Sequence, residues 1–229
     1  MFDYEHEMVK PAEAWLRSRA LMVKREFPLP WGICDLVGCS FEQQNIETRL
    51  RLRQKKPIGS YFRLMLLSQI PEEKDGPPIT LSRLTKVFSE CFDSEQIRFE
   101  LHRLRTDQFI YATSSNSFYK LNGWMPIHKR FVALELKLSR FHDVLCQAIN
   151  NLEFADESYA ALPLPAAANL VESGSVSLFV EHGIGIIGLD PQGYNVLRTA
   201  RPSKATIDPL LQAHCAERFW RTYVKGNST

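Results

Sequence analysis

Apolar and polar positions alternate with two different periods along the N-terminal part of the chain. Residues 4–19 carry apolar side chains at helical spacing, namely Met8, Ala12, Trp15 and Leu16. Residues 21–27 alternate with the two-residue period of a strand, and residues 32–39 form a second, almost continuous apolar run. Pro28 and Pro30 separate these two runs. The pattern predicts a helix followed by two strands that pair as a hairpin across a proline turn.

The middle of the chain changes to a helical pattern. Residues 60–70 and 81–88 have amphipathic helical spacing, and Ser94 is a suitable N-cap for a third, longer helix. Residues 109–121 read as two short strands around a Ser/Asn turn. The order of helix, short helix, longer helix and hairpin resembles that of a winged helix-turn-helix domain, over residues 57–122.

The strand pattern returns after this segment. Residues 131–138 alternate as a strand, and residues 141–152 carry the apolar stripe of a helix. A short strand, a short helix, a hairpin around a Pro-Gln-Gly turn and a C-terminal helix follow. Strands and helices therefore alternate at both ends of the chain, which is typical of an α/β protein with a mixed sheet.

The amino-acid composition is that of a globular protein and not that of a membrane-spanning or secreted one. The chain has 229 residues, of which 45% are hydrophobic and 24% charged, as in an ordinary globular protein. We expect no membrane-spanning helix, because no apolar run reaches about 18 residues. The first residues are acidic and mixed, unlike a secretory signal. The five cysteines are scattered, so we expect reduced thiols and a cytoplasmic location. The net charge of +2 neither indicates nor excludes nucleic-acid binding.

Three charged residues stand inside apolar strands. Asp35 interrupts the second predicted strand, and Glu135 and Lys137 lie two residues apart on one face of the strand at 131–138. A carboxylate in an apolar strand is costly unless something pairs with it. Two carboxylates can hold Mg²⁺ (or Mn²⁺) beside a phosphate, and a nearby lysine can steady the anionic transition state. This combination predicts metal-dependent phosphodiester cleavage.

The sequence Gly-Ile-Cys-Asp-Leu-Val-Gly around Asp35 and the sequence Glu-Leu-Lys at 135–137 resemble the PD-(D/E)XK nuclease superfamily. The resemblance implies a restriction-endonuclease-like fold, with a mixed central sheet flanked by helices. It further implies that Glu13, on the first helix, joins the site, and that Gln147, on the helix after the Glu-x-Lys strand, does so too. Glu26 is a further acidic candidate on the first strand.

About a hundred residues separate Asp35 from Glu135, where this family usually has a short connection. The winged-helix segment fills that interval, so we expect an inserted winged-helix domain at residues 49–124. The nuclease-like domain then consists of residues 1–48 and 125–229. An exposed hairpin edge is a position at which insertions are tolerated.

The predicted longer helix carries a basic face. Its candidate DNA-binding residues are Arg98, His102, Arg103 and Arg105. A preceding basic run is suited to phosphate contact without base reading, through Arg49, Arg51 and Arg53. Alternative interpretations are a solvated charged helix face, a solvated linker, and a winged helix that binds protein rather than DNA.

Other interpretations of the acidic residues also remain. Asp35 alone is equally well explained as a turn or capping residue, and Glu135 with Lys137 as a solvent-facing charge pair on a half-exposed strand. The leading hypothesis is a Mg²⁺-dependent nuclease acting on DNA. The alternative is a catalytically inactive DNA-binding or adaptor protein with the same fold. Two cuts in a duplex need two sites, so a homodimer is a further expectation, and a larger nucleoprotein complex is the alternative assembly.

Overall fold

The computed structural model describes residues 2–114, 116–121, 125–202 and 207–226. The chain forms two compact units. The first unit runs as far as Phe41 and resumes from His128 to Pro209. The second unit runs from Glu42 to Ile127 and resumes at Leu210. Neither unit is therefore built from one continuous stretch of sequence.

The helices, in chain order, are α1 (Val9–Ser18), α2 (Gln43–Arg51), α3 (Tyr61–Gln69), α4 (Leu81–Phe88), α5 (Ser94–Thr106), α6 (Phe141–Asn150), α7 (Leu164–Glu172), α8 (Ser177–His182) and α9 (Pro209–Gly226). The strands are β1 (Met22–Leu29), β2 (Gly32–Phe41), β3 (Ile79–Thr80), β4 (Ile110–Ser114), β5 (Ser117–Lys120), β6 (His128–Leu136), β7 (Glu157–Pro163), β8 (Gly185–Asp190) and β9 (Gly193–Arg198). Short 3-10 helices occupy Glu5–Met8, Glu73–Asp75 and Asn151–Glu153.

The first unit is built on a six-stranded sheet with the order β1-β2-β6-β7-β8-β9. The β6-β7-β8 neighbours are parallel, and the outer pairs, including β2 with β6, are antiparallel. Helices cover both faces of the sheet. Alternate side chains of each central strand therefore enter the two different cores. The prediction of an α/β protein with a mixed sheet flanked by helices is confirmed.

One hydrophobic core lies between α1 and one face of this sheet. Its strand residues include Leu36, Val132, Leu134, Leu136, Tyr159 and Ile187. Trp15 packs edge-on against Tyr159, with ring centroids 4.6 Å apart. Gly185 leaves room for the Tyr159 ring, because a Cβ there would lie 2.2 Å from ring atoms of Tyr159. The other core gathers α6, α7 and α8 against β7 and β8.

The second unit combines helices α3, α4 and α5 with a three-stranded antiparallel sheet of order β3-β5-β4. Its buried residues include Leu64, Leu67, Leu84, Ile97, Leu101, Leu104, Phe109 and Phe118. Ser60 and Thr80 cap α3 and α4 through their side-chain oxygens. The structure places the cap of α5 at Asp93 rather than at Ser94. The Asp93 side chain accepts a hydrogen bond from Gln96 N, and Asp93 N donates one to the Gln96 side-chain oxygen.

The C-terminal helix α9 belongs to the second unit, whereas the sequence pattern had grouped it with residues 125–229. Ala213 lies in the core of the second unit, and Leu210 packs against it. The boundaries of the middle segment also move from 49–124 to 42–127. Phe41 pairs with His128 at the end of the large sheet, and Glu42 N donates to Ile127 O at 2.8 Å in the second unit.

A search of the described residues finds no helix that is both long and apolar enough to cross a bilayer.

Candidate functional site

Asp35 and Glu135 lie on the neighbouring strands β2 and β6. The register pairs Leu36 with Leu134, so Asp35 and Glu135 oppose one another one position further along. Asp35 Oδ2 also accepts a hydrogen bond from Leu136 N at 2.8 Å. The two carboxyl groups are close enough for the negative charge of Asp35 to raise the pKa of Glu135. The structure thus brings together the two acids that were predicted to act together, although they are a hundred residues apart in sequence.

Glu135 is an acid that is almost completely removed from water. The residue is 2% exposed, and its Oε1 accepts a hydrogen bond from Asn151 Nδ2 at 2.7 Å. Its second oxygen, Oε2, is buried without a hydrogen-bond partner. Burial, followed by the negative charge of Asp35, raises the pKa of Glu135 to about 7. Glu135 is therefore partly protonated near neutral pH, and its unpaired oxygen is a position for that proton or for a cation.

Cys34 completes the buried side of this site. Its Sγ lies 3.5 Å from Asn151 Nδ2 and 3.4 Å from the carbonyl oxygen of Leu36. Burial and the nearby charge of Glu135 raise the pKa of the Cys34 thiol well above its ordinary value. The thiol therefore stays protonated and is not a nucleophile at neutral pH.

Lys137 follows the last residue of β6 and pairs with an acid that the sequence analysis did not select. Its Nζ lies 3.3 Å from Glu5 Oε2, and Glu5 Oε1 accepts a hydrogen bond from Leu138 N at 3.4 Å. The Lys137 side chain is 12% exposed. The assigned strand ends at Leu136, and Lys137 N still donates to Ala161 O of β7 at 3.1 Å.

Glu13 occupies a different arrangement from the one predicted for it. Both of its carboxylate oxygens bind the Arg25 guanidinium, at 2.7 and 2.8 Å. Hydrogen bonding to Arg25 lowers the pKa of Glu13. The acid of the N-terminal helical segment that contacts a predicted site residue is Glu5 instead. Acids at many positions of an amphipathic helix share the same pattern, so only the packing of the helix distinguishes Glu5 from Glu13.

Gln147 does not supply the amide that contacts Glu135. That amide belongs to Asn151, four residues later, at the start of the 3-10 helix after α6. The Gln147 Oε1 atom is buried without a hydrogen-bond partner. One helical turn separates the two residues, so the predicted type of side chain is present but one turn further along.

Glu26 is a third acidic residue, on β1, the strand that pairs with β2. The pairs Arg25 with Leu36 and Phe27 with Cys34 leave Glu26 opposite Asp35. Its φ of 46° lies in the left-handed region, although it stands in the middle of β1. Non-glycine residues rarely adopt this conformation, which costs on the order of 1–3 kcal/mol. The strained residue therefore lies next to the Asp35–Glu135 pair, and its side chain is exposed.

The donor set at Asp35 and Glu135 fits a hard divalent cation. Mg²⁺ is bound in proteins by one or two carboxylates together with water and substrate oxygens. The pair provides two carboxylates, and Glu135 Oε2 is buried without a hydrogen-bond partner. A group of three or more His, Cys, Asp or Glu side chains arranged to hold a metal is absent from the part of the chain that the structure describes. Any metal here would accordingly take most of its ligands from water and substrate.

The predicted DNA-binding face of α5 is exposed in the second unit. Arg98, His102 and Arg105 lie along it and line a pocket of about 180 Å³, whose other walls include Leu101 and Phe118. Arg98 also lines the adjoining cleft over the first turns of α4 and α5. The structure therefore groups these three side chains around one concave surface.

Arg103 lies on a neighbouring side of α5, where its guanidinium stands 5.5 Å from the centre of the Phe99 ring. Phe99 is itself 57% exposed. Arg103 is therefore available to solvent, but it does not line the pocket formed by the other three side chains.

The prediction that Arg49 contacts phosphate is wrong, because this residue is buried. It is 3% exposed and makes two hydrogen bonds to the carboxylate of Glu217, one of them at 2.8 Å. Its guanidinium also lies 4.6 Å from the centre of the Trp220 ring. Arg49 therefore holds α9 to α2 and offers no surface to a phosphate. Arg51 and Arg53 are exposed, as that prediction requires.

Comparison with known proteins finds no matching protein-family model, no similar curated protein and no similar solved structure.

Proposed function

We propose that this protein is a Mg²⁺-dependent nuclease that acts on DNA. The observation that carries the proposal is the Asp35–Glu135 pair, in which a buried carboxylate oxygen has no hydrogen-bond partner. A charged pair without a cation is a costly arrangement in the interior of a protein. A divalent cation between the two acids removes that cost.

Each member of the site has a role in this proposal. Asp35 and Glu135 would hold the metal, which when bound lowers the pKa of a water ligand and neutralises charge on the phosphate. Lys137, now paired with Glu5, supplies a cation at the edge of the site. The Glu5–Lys137 contact is partly exposed, so an incoming phosphate group can replace the carboxylate as the partner of the lysine.

The fold supports the resemblance to PD-(D/E)XK nucleases. We interpret the six-stranded sheet with its flanking helices as restriction-endonuclease-like, with Asp35 and the Glu-x-Lys segment on adjacent strands. We interpret the middle segment as an inserted winged helix. Its order of helix, strand, helix, helix and two strands, and its sheet order β3-β5-β4, support this interpretation.

In the same proposal α5 is the helix that contacts DNA. Arg98 and Arg105 are long, exposed and always charged, and they flank His102 on one concave surface. Arginine can make paired hydrogen bonds to guanine or bind phosphate. Arg51 and Arg53 add phosphate contacts, and Arg103 stands beside the exposed Phe99 ring.

A cleavage assay tests the catalytic part. The purified protein is incubated with supercoiled, linear and single-stranded DNA in Mg²⁺, in Mn²⁺ and in chelator. We expect cleavage that requires the metal and is lost in Asp35→Asn, Glu135→Gln and Lys137→Ala. Glu172→Gln, which changes an exposed acid on α7, is the matched control. Cleavage that survives in both carboxylate variants rules out the proposed site.

A binding assay tests the DNA-binding part separately. Arg98→Ala and Arg105→Ala should each weaken duplex binding by about tenfold and lower the dependence of log Kd on log salt by about one. Lys74→Ala, which removes an exposed cation outside the α5 pocket, should leave the affinity unchanged. Equal affinities for all three variants and the wild type would remove α5 from the interface.

The second candidate is a DNA-binding or adaptor protein of the same fold without catalysis. It is favoured by the burial of Glu135, since a residue that is 2% exposed has little access to a hydrated metal. It predicts salt-dependent DNA binding, no heat of Mg²⁺ or Mn²⁺ binding in calorimetry, and no cleavage.

A further inference from the structure

Asn151 is a buried amide that the mechanism above does not use. It is 2% exposed and stands at the first position of the 3-10 helix after α6. Its backbone N–H bonds to the carbonyl oxygens of Gln147 and Ile149, and its own carbonyl accepts the amides of Phe154 and Ala155. The backbone of Asn151 is therefore held by hydrogen bonds on both sides.

The side chain of Asn151 reaches two site residues at once. Its Nδ2 donates to Glu135 Oε1 at 2.7 Å and lies 3.5 Å from Cys34 Sγ. An amide nitrogen has two hydrogens, so one group can satisfy both partners. Glu135 Oε1 is occupied in this way, while Oε2 is left without a partner. The carboxylate thus has one fixed oxygen and one available oxygen.

We infer that Asn151 is a positioning residue, which holds one oxygen of Glu135 so that the other is presented, beside Asp35, to a divalent cation. The inference rests on the proposed metal site and adds a residue to it. Groups that bind to metal ligands fix their orientation, and their loss typically reduces metal affinity about 10- to 100-fold. A neutral amide suits this role because it donates at any pH and adds no charge of its own.

A residue with a purely structural role would differ in its consequences. Such an asparagine would satisfy a buried carboxylate, and its removal would change only the stability of the fold. A positioning asparagine changes the metal requirement of a folded protein. The two roles are therefore separated by measuring metal affinity and stability on the same variants.

The test uses the full chain with Asn151→Asp, Asn151→Ala and Asn151→Ser. Asn150→Ala is the matched control, because it removes an exposed amide one residue earlier. Mn²⁺ binding is measured by calorimetry at about pH 8, without DNA, and unfolding is followed by circular dichroism. We expect binding to weaken about tenfold or more in the aspartate and alanine variants. The serine variant, which keeps a short donor, should lie between these variants and the wild type.

A second readout is the metal dependence of cleavage. The concentration of Mn²⁺ that gives half-maximal cleavage should rise in Asn151→Ala, and excess Mn²⁺ should restore the rate, while the KM for DNA stays unchanged. Folded variants with wild-type Mn²⁺ affinity overturn the inference. The inference is also overturned if all three variants are unfolded by circular dichroism and saturating Mn²⁺ refolds none of them, because Asn151 then acts on the fold. Absence of Mn²⁺ binding in the wild type removes the proposed function itself, which distinguishes the two failures.

Discussion

Each of the two units contains a carboxylate that is almost fully buried, and the two carboxylates have different hydrogen-bond partners. Glu217 and Glu135 are each 2% exposed. Glu217 receives the Arg49 guanidinium and the amide of Ile58, which lies 2.7 Å from its Oε2. Glu135 has one amide donor and a second acid as its neighbour. Burial alone therefore does not identify a site.

The hydrogen bonding of the two acids explains the difference. A buried ion pair with every oxygen satisfied fixes a structure, whereas a buried acid beside another acid stores unfavourable energy. Such energy is retained where a ligand or proton relieves it, and strongly perturbed acids cluster at functional sites for that reason. Glu217 therefore belongs to a structural cluster, whereas Glu135 belongs to the proposed metal site, and the following predictions test this contrast.

The largest effect is expected from Arg49→Ala. Removing the guanidinium leaves Glu217 buried without its counter-charge, which costs about 3–5 kcal/mol. The free energy of unfolding, from a denaturant titration, should fall by that amount. Arg51→Ala, an exposed neighbour on the same helix, should change it little. A loss as small as that of Arg51→Ala would show that Glu217 needs no partner.

The next effect is the pH dependence of stability. The pKa of Glu135 is about 7 in the folded protein against 4.5 as its ordinary value, so the folded state holds the proton more tightly. Its contribution is complete below about pH 4.5 and is lost as the pH rises through 7, by about 3 kcal/mol. Glu135→Gln removes this titration.

The measurement is the difference in unfolding free energy between the wild type and Glu135→Gln, taken at several values between about pH 5 and 8. The glutamine variant should be the more stable protein at the alkaline end. A difference that does not change with pH contradicts the raised pKa.

Metal should reverse part of that cost. At ten times its Kd, Mg²⁺ raises the unfolding free energy of the wild type by about 1.4 kcal/mol, from RT ln(1 + [L]/Kd). The increase should be present at about pH 8, where Glu135 is ionised, and absent in Glu135→Gln. Calcium-free buffers and a chelator blank provide the reference. Equal stabilisation of both proteins would place the metal elsewhere.

The smallest effect is expected from Glu13→Gln. Its partner Arg25 is solvent-exposed, and water and salt screen such pairs. The unfolding midpoint should stay within experimental error of the wild type, and cleavage should continue. A loss of cleavage in a stable Glu13→Gln protein would return this acid to the site.

The elements of the fold could be read from periodicity, because each depends on neighbours in sequence. The helix at Leu81–Phe88 has the predicted bounds, and the two N-terminal strands pair as a hairpin. The pairing of Asp35 with Glu135 was also predictable, since both interrupt apolar strands and an interrupted strand needs a local reason. Helices α2 and α8 were not predicted, and the cap of α5 was displaced by one residue.

The remaining errors all depend on contacts between distant residues. Arg49 sits in a basic run whose other members are exposed, and nothing nearby distinguishes the one that meets Glu217, 168 residues later. The same holds for Glu5 against Glu13, and for Asn151 against Gln147. In each case the sequence supplied the right type of side chain, and only the packing of the helix selected the position.

The 168 residues between Arg49 and Glu217 also bear on how the protein is made. Ribosomes add about 5–20 residues per second, so on the order of 10 to 30 s pass between the synthesis of Arg49 and that of Glu217. During that time the second unit lacks α9, and a charged guanidinium and the apolar surface that this helix covers are open to chaperones and to other chains. A chain truncated anywhere between Arg49 and Glu217 therefore lacks the partner of Arg49 and leaves the second unit incomplete. The second unit can be completed only after Glu217 has been synthesised.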